Sequence, residues 1–494
     1  MSVISEHVGH SVPRTARLAP LRAVLNTLAL AAADVLAFAT AYYLFRRGHF
    51  MPAFVLPLSG ERPDPSSATD LLLIMGGVFV VIRYLLGDYG RRQLFWDGAR
   101  LTTSTLALVA IPDALLVLLI ANASLYWPLI LGWAFLVPAV PLYRQGARRI
   151  LKAVGIWQIP SAMIGSGRDA CEAFKGLRNT LSLGFDIRYL IVDEDTAVPA
   201  ELQSLKRIHS ATPDLTVETL QDLECRQLIV TAEDVRGARI GDLVQRLIGS
   251  EFEIAVIPSL RGLPLFGLQT SYLFGRDLLL LQLRNNLARI PSSLAKRLMD
   301  LLGALAVLVL SSPIWLTILA AIKLHDGGPV FYVQKRVGRG GKIFGCIKFR
   351  TMAVDADARL ARWRDDNPGL YAEFMKTFKL RDDPRVTGPG KWLRRTSLDE
   401  LPQLLNVIAG SMSLVGPRPV LERELIEFYG ASAELYRRVR PGITGLWQIS
   451  GRSDTSYAER VGFDEWYVLN WSLWYDLVIL IQTAWVVTAR KGAF

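Results

Sequence analysis

Four long apolar runs crowd the first third of the chain, at residues 23–44, 71–86, 102–121 and 125–142. Each approaches the ~20 residues that a helix needs to cross a bilayer. They predict a membrane region, 1–150, of four transmembrane α-helices. The first run lacks a small-residue cleavage site and is followed by three more, so it reads as a retained anchor and not a signal peptide. The period then changes. Ser161-Ala162-Met163-Ile164 leads through Gly165-Ser166-Gly167 into a helical pattern at 168–177, and buried-strand patterns follow at 187–192, 227–231 and 254–257. This alternation predicts a soluble, doubly wound, Rossmann-like α/β domain over 158–285. A fifth apolar stretch, 301–322, carries Ser311-Ser312-Pro313 in its middle, where proline removes a backbone hydrogen bond and bends a helix.

Charge orients these elements. Arg14, Arg17 and Arg22 precede the first run, Arg83, Arg91, Arg92 and Arg100 separate the second from the third, and Arg144, Arg148, Arg149 and Lys152 follow the fourth. The positive-inside rule puts all three places in the cytoplasm and the Asn122-Ala123-Ser124 turn outside, with Arg46 and Arg47 outvoted. Lys296 and Arg297 before the fifth stretch, and Lys323, Lys335 and Arg336 after it, mark both its ends as cytoplasmic. A re-entrant membrane helix over about 296–323, entering and returning at Pro313, satisfies them; a fifth span would put the C-terminal region outside. Asp34 and Asp113 lie inside apolar runs without a basic partner evident at their depth, which points to hydrogen bonding between helices.

Composition narrows the chemistry. A net charge of +11 over 494 residues is spread beside apolar runs and through the last third, which suits lipid head groups and phosphates and not nucleic acid. Three separated cysteines and five histidines support neither a disulfide framework nor a zinc site nor a Ser/His/Asp triad. In the α/β region Gly165-Ser166-Gly167 opens a helix and Asp193-Glu194-Asp195 follows the next strand, as in a dinucleotide site. Tyr272, however, has Arg276 where a Tyr-x-x-x-Lys pair would need lysine, so the domain reads as structural or regulatory.

The chemistry gathers in 290–494. Its blocks are Gln334-Lys335-Arg336-Val337-Gly338, Lys348-Phe349-Arg350-Thr351-Met352, Arg394-Arg395-Thr396-Ser397-Leu398-Asp399-Glu400, Val415-Gly416-Pro417-Arg418-Pro419 and Arg440-Pro441-Gly442-Ile443-Thr444-Gly445-Leu446-Trp447-Gln448. Several cations thus surround two adjacent carboxylates. Guanidinium groups bind phosphate oxygens bidentately, and one acid can hold a divalent cation while the other attacks phosphorus. Neighbouring positions do not face each other on a helix, so two tasks are more natural than one shared proton.

The segment from Lys296 to Phe494, through these blocks, resembles the catalytic domain of the polyprenyl-phosphate hexose-1-phosphate transferases, the monotopic phosphoglycosyl transferases. With the N-terminal helices and the α/β domain, nearly the whole chain resembles the large members of that family, and the last ~50 residues look most like the undecaprenyl-phosphate galactose phosphotransferases. The resemblance implies a mostly α, monotopic catalytic domain at 290–494 in a multi-pass protein of the bacterial inner membrane, with this domain on the cytoplasmic face. It implies that Asp399 attacks the β-phosphate of a UDP-hexose, expels UMP and passes the sugar phosphate to undecaprenyl phosphate, the first step of O-antigen, capsule or exopolysaccharide assembly. Glu400 would hold Mg²⁺. Lys348, Arg394 and Arg418 match the phosphate-binding cations, with Arg350, Arg336, Arg452 and Gln448 as supporting candidates. Ser312 and Pro313 match the helix break, and Lys296 and Arg297 the basic pair at the lipid head groups. A homodimer is implied as well. Ser411, in Gly410-Ser411-Met412-Ser413, replaces the usual acid. UDP-glucose is the alternative donor. A transporter would place its broken helices among the spans, and a non-catalytic scaffold would not need Asp399, Glu400 and their cations.

Overall fold

The computed structural model describes residues 19–46, 65–120, 127–192, 196–209, 225–231, 252–260, 268–272, 279–282, 290–366, 383–450 and 456–488, with a few isolated positions besides. Arg14, Arg17, Arg47, Asn122-Ala123-Ser124, Asp193-Glu194-Asp195, Arg276 and Arg452 lie outside them. The chain divides into two compact units, Met1–Ser259 and Leu260–Phe494.

Unit one begins with helices α1 (Ala19–Arg46), α2 (Pro65–Leu85), α3 (Phe95–Ile120) and α4 (Trp127–Ala153). They bury a common core of Ala37, Phe38, Phe79, Leu106, Leu136 and Val140. Among the described residues, Leu21–Phe45 and Phe95–Val117 are the helices of this group long and apolar enough to cross a membrane by themselves. In α4 the second half carries Arg144, Arg148, Arg149 and Lys152, which shortens its apolar part. The reading of Asp34 changes. The Arg144 guanidinium donates to both of its oxygens and reaches Asp88 at 2.5 Å, while Arg83 meets the same Asp88 at 2.6 Å. Asp34 is therefore half of a buried ion pair between α1 and α4. Asp113 accepts from the Trp133 indole at 2.7 Å, a hydrogen bond between α3 and α4.

The α/β part of unit one comprises β1 (Ile159–Ile164), α5 (Arg168–Arg178), β2 (Phe185–Val192), β3 (Lys206–His209), β4 (Gln227–Thr231) and β5 (Glu253–Ile257). The five strands run parallel in the order β3-β2-β1-β4-β5. This is the doubly wound arrangement, its switch point between β1 and β4. β3, absent from the sequence reading, alternates Lys206, Arg207, Ile208 and His209 and shows no apolar run.

Unit two opens with the hairpin β6 (Gln269–Tyr272) and β7 (Leu279–Gln282). Helices α6 (Ile290–Leu310) and α7 (Ser312–Asp326) follow, bent by 63° at Ser311. Pro313 lies in the first turn of α7, where its missing N–H leaves no helical bond unmade, and the Ser312 hydroxyl donates back to the Val309 carbonyl at 2.8 Å. Leu298, Leu302, Leu305 and Val309 recur at helical spacing on α6 and are all exposed, an apolar stripe suited to lipid. The chain is thus a membrane protein with two to three candidate spans.

The rest of unit two is mostly helical: α8 (Ala356–Asp366), α9 (Gly388–Thr396), α10 (Gln403–Ala409), α11 (Glu422–Phe428), α12 (Ala433–Arg437), α13 (Leu446–Ser450), α14 (Tyr457–Leu469) and α15 (Leu473–Thr488). Two small ladders interleave, antiparallel β8 (Phe331–Val337) with β9 (Ile343–Phe349), and parallel β10 (Ser413–Val415) with β11 (Gly442–Thr444). Ile318 and Ile322 of α7 pack with Phe349 of β9 and Leu393 of α9. The returning membrane helix therefore sits directly under the two elements that carry Lys348 and Arg394.

Candidate active site

The carboxylate pair is presented by an abrupt turn. Helix α9 starts at Thr387, whose hydroxyl accepts from the Gly390 N–H at 3.1 Å, and stops at Ser397 with φ 56° and ψ 18°. Ser397 is the one non-glycine residue with positive φ among the described residues, a backbone state that costs an L-residue about 1 kcal/mol. The turn redirects the chain into a single 3-10 turn, Leu398–Glu400, that places half-buried Asp399 and Glu400 beside β9. A Cβ on Gly390 would lie 2.1 Å from the Thr351 carbonyl oxygen, so the start of α9 is pressed against the end of the β9 segment.

The cations arrive from three directions. Lys348, on β9, donates to Glu400 Oε1 at 2.6 Å. Arg394, on the last turn of α9, donates through Nε to Thr351 Oγ1 at 3.0 Å and acts electrostatically on Asp399. Arg418, after β10, bears on Glu400, as does Arg336 of β8. The two acids consequently diverge. Burial, then the charge of Glu400, push the Asp399 carboxyl up to about 6. Burial pushes Glu400 the same way, but Lys348, Arg418 and Arg336 outweigh it and hold Glu400 below the usual carboxylate range. The two neighbouring carboxyls are thus pushed apart, Asp399 raised and Glu400 lowered.

The remaining candidates are placed as follows. Arg350 is committed to the Asp326 carboxylate through both terminal nitrogens and to the Pro329 carbonyl at 2.5 Å. It closes α7 onto β9. Arg336 donates to Gln334 at 2.8 Å and meets Glu424 at 3.5 Å. Gln448 donates to the Ile443 carbonyl at 3.0 Å. Lys296 is buried: it meets Asp476 at 2.7 Å and the Val415 carbonyl at 3.1 Å. Arg297 donates to the Val407 and Ile408 carbonyls at 2.7 and 3.0 Å, capping α10. Both members of the basic pair are tied to the protein interior.

Residues outside the sequence-derived set complete the frame. Asn406 of α10 accepts from the Ile347 N–H at 2.9 Å and donates to the Gly345 carbonyl at 2.8 Å, fixing the strand that carries Lys348. Ser411 stands beside it, accepting from Asn406 Nδ2 at 3.3 Å and donating to the Asn406 carbonyl at 3.2 Å. The serine in place of the usual acid thus supports this asparagine. Thr351 belongs to the cation-rich stretch 348–352, whereas Asn406 and Asp326 carry no local signal, since only tertiary folding brings them to their partners.

An apolar bent helix pair beneath a carboxylate dyad ringed by cations defines an enzyme that works on anionic substrates at a membrane. The chain belongs to the bacterial sugar transferase family, whose description matches residues 291–490. It is 36% identical over 478 residues to the UDP-galactose-lipid carrier transferase of Erwinia amylovora, covering 96% of this chain and 98% of that protein. It is 37% identical over 410 residues to the undecaprenyl-phosphate galactose phosphotransferase of Salmonella typhimurium, covering 83% and 85%. The exopolysaccharide production protein ExoY of Rhizobium meliloti is 54% identical over 201 residues, which is 41% of this chain but 88% of that protein.

Proposed function

We propose that the protein transfers galactose-1-phosphate from UDP-galactose to undecaprenyl phosphate, releasing UMP and starting a surface polysaccharide. The observation that carries the mechanism is the divergence of the two acids. Asp399, ionised near neutral pH, attacks the β-phosphorus; the bond from that phosphorus to the oxygen bridging to the α-phosphate breaks, and UMP leaves with the electron pair. The lipid phosphate then displaces Asp399 from the phosphosugar, giving the lipid diphosphate sugar and restoring the carboxylate. Lys348, Arg394 and Arg418 neutralise the phosphate oxygens that would otherwise repel Asp399.

Mg²⁺ fits this donor set. Among the described residues no group of three or more His, Cys, Asp or Glu could form an all-protein cage, and Mg²⁺ commonly uses one or two carboxylates together with substrate phosphates and water. Glu400, held ionised and 30% exposed, is the carboxylate that would hold it. When bound it would supply charge neutralisation at the diphosphate. We further propose the division 1–150, 158–285 and 290–494, with the catalytic region at the cytoplasmic face, where basic residues flank the bent helix pair.

The test is UMP release by the full chain in nanodiscs with undecaprenyl phosphate, Mg²⁺ and either UDP-galactose or UDP-glucose, beside Asp399→Asn. Release with UDP-galactose that disappears in the variant supports the reading. Preferential use of UDP-glucose would reassign the donor, and no release from either would defeat the reading.

A further inference from the structure

Arg418 does not reach the dyad unsupported. Its guanidinium carbon lies 5.3 Å from the centroid of the Trp447 ring, and that of Arg460 lies 4.9 Å from the same centroid. Two like charges gathered at one side chain repel unless something between them compensates, and the electron-rich faces of an indole do so. Trp447 is only 6% exposed, so its ring is shielded from water, which strengthens the attraction. Its backbone is equally constrained. Gly445, two residues before it, has no room for a Cβ, which would lie 2.3 Å from the Gly416 carbonyl oxygen; Gly416 N–H in turn donates to the Thr444 carbonyl at 2.9 Å. The Gly442 N–H donates to the Pro417 carbonyl at 2.8 Å. The segment carrying Arg418 and the segment carrying Trp447 are thus joined backbone to backbone.

Helix α14 adds a buried carboxyl, which burial raises to about 7. Asp464, one turn after Arg460, is buried, accepts from the Tyr429 hydroxyl at 2.8 Å and feels the charge of Arg418. Arg418 is therefore held over the Trp447 ring and acts electrostatically on both Asp464 and Glu400.

We propose that Trp447 is a positioning residue that gathers Arg418 and Arg460 into one double-cation cradle for the diphosphate of the nucleotide-sugar donor, with Arg460 as a further donor-binding residue. The inference rests on the proposed transferase reading. A diphosphate presents several anionic oxygens along a short chain, and two guanidiniums fixed about one ring match it better than one mobile cation. The lipid acceptor, a monophosphate, has less use for the second cation.

The experiment is steady-state UMP release by the full chain in nanodiscs, varying UDP-galactose and undecaprenyl phosphate separately. Arg460→Gln, which removes one shielded cation–π contact, should raise KM for the donor about tenfold, and Trp447→Leu, which removes both, by at least as much, while the acceptor KM stays within about twofold. Trp447→Phe and Arg460→Lys should recover most of the loss, and Trp447→Leu combined with Arg460→Gln should be little worse than Trp447→Leu alone. Equal impairment by Trp447→Phe and Trp447→Leu, equal changes in both KM values, or an Arg460→Gln enzyme with the donor KM of wild type would overturn the proposal. Absence of UMP release by the wild-type chain defeats the transferase reading instead, so the two failures are separable.

Discussion

Lys296 offers the sharpest test of how the membrane helix pair is fastened to the catalytic frame. Its ammonium lies 2.7 Å from Asp476 on α15, 3.1 Å from the Val415 carbonyl on β10 and 4.0 Å from Asp300 on its own helix. Asp476 is fully buried and also accepts from the Tyr467 hydroxyl at 2.8 Å and the Trp471 indole at 2.9 Å. Lys296→Met keeps most of the aliphatic stem but leaves a buried carboxylate without its cation, a loss of about 3–5 kcal/mol. In a unit of this size that is a fall in Tm of roughly 6–20 °C. The deficit must depend on pH. Burial already raises the Asp476 carboxyl, against the pull of Lys296, and removing the lysine raises it further. A carboxyl raised above its unfolded value, about 3.9, destabilises the fold as pH rises toward its folded value. The variant should therefore be closest to wild type at pH 5 and furthest from it at pH 8. The assay is thermal unfolding in nanodiscs followed by tryptophan fluorescence, with Lys296→Met/Asp476→Leu as the compensated control, which should regain most of the loss. A Lys296→Met protein within 2 °C of wild type by this assay, or one with the same deficit at both pH values, would refute a structural ion pair. Lys296 would then be free to serve lipid head groups.

Three further outcomes follow from the site. The rate of the first UMP release should fall as pH drops through about 6, because Asp399 must be ionised to attack; Glu400→Gln, by removing the neighbouring charge, should move any residual acid limb to lower pH in a rapid-quench pH series. Ser397→Gly should raise thermal stability by up to about 1 kcal/mol, since glycine adopts positive φ freely, while Ser397→Val should lower it; equal melting of the two would contradict the strained turn. Asn406→Ala leaves the Ile347 N–H and the Gly345 carbonyl without that partner and should cost about 1–3 kcal/mol together with a fall in kcat, read by unfolding and UMP release.

What the sequence disclosed was local. The Pro313 break, the glycine turn after β1 and the Asp399-Glu400 pair all rest on residues adjacent in the chain, and the bent helix pair and the parallel sheet have the predicted character. Long-range pairing was invisible. Nothing near Asp34 announces Arg144, 110 positions later, and Asn406 meets Gly345 and Ile347 only through the packing of α10 on β9. Arg350 shows the opposite case. It stands in a cation-rich block, yet Asp326, 24 positions earlier, occupies its guanidinium. Sequence spacing identified Arg350 but not the acid that faces it.

The union of Asp34 and Arg144 bears on how the protein is made. Asp34 lies on α1 and its partner on α4, so the chain between them is synthesised before the pair can form. An isolated aspartate at the centre of a membrane helix carries an insertion penalty of about 2.5–3.5 kcal/mol. Until α4 is synthesised, α1 therefore carries that penalty without its counter-ion. Arrival of Arg144 supplies that counter-ion, which couples the stability of α1 in the membrane to the presence of α4.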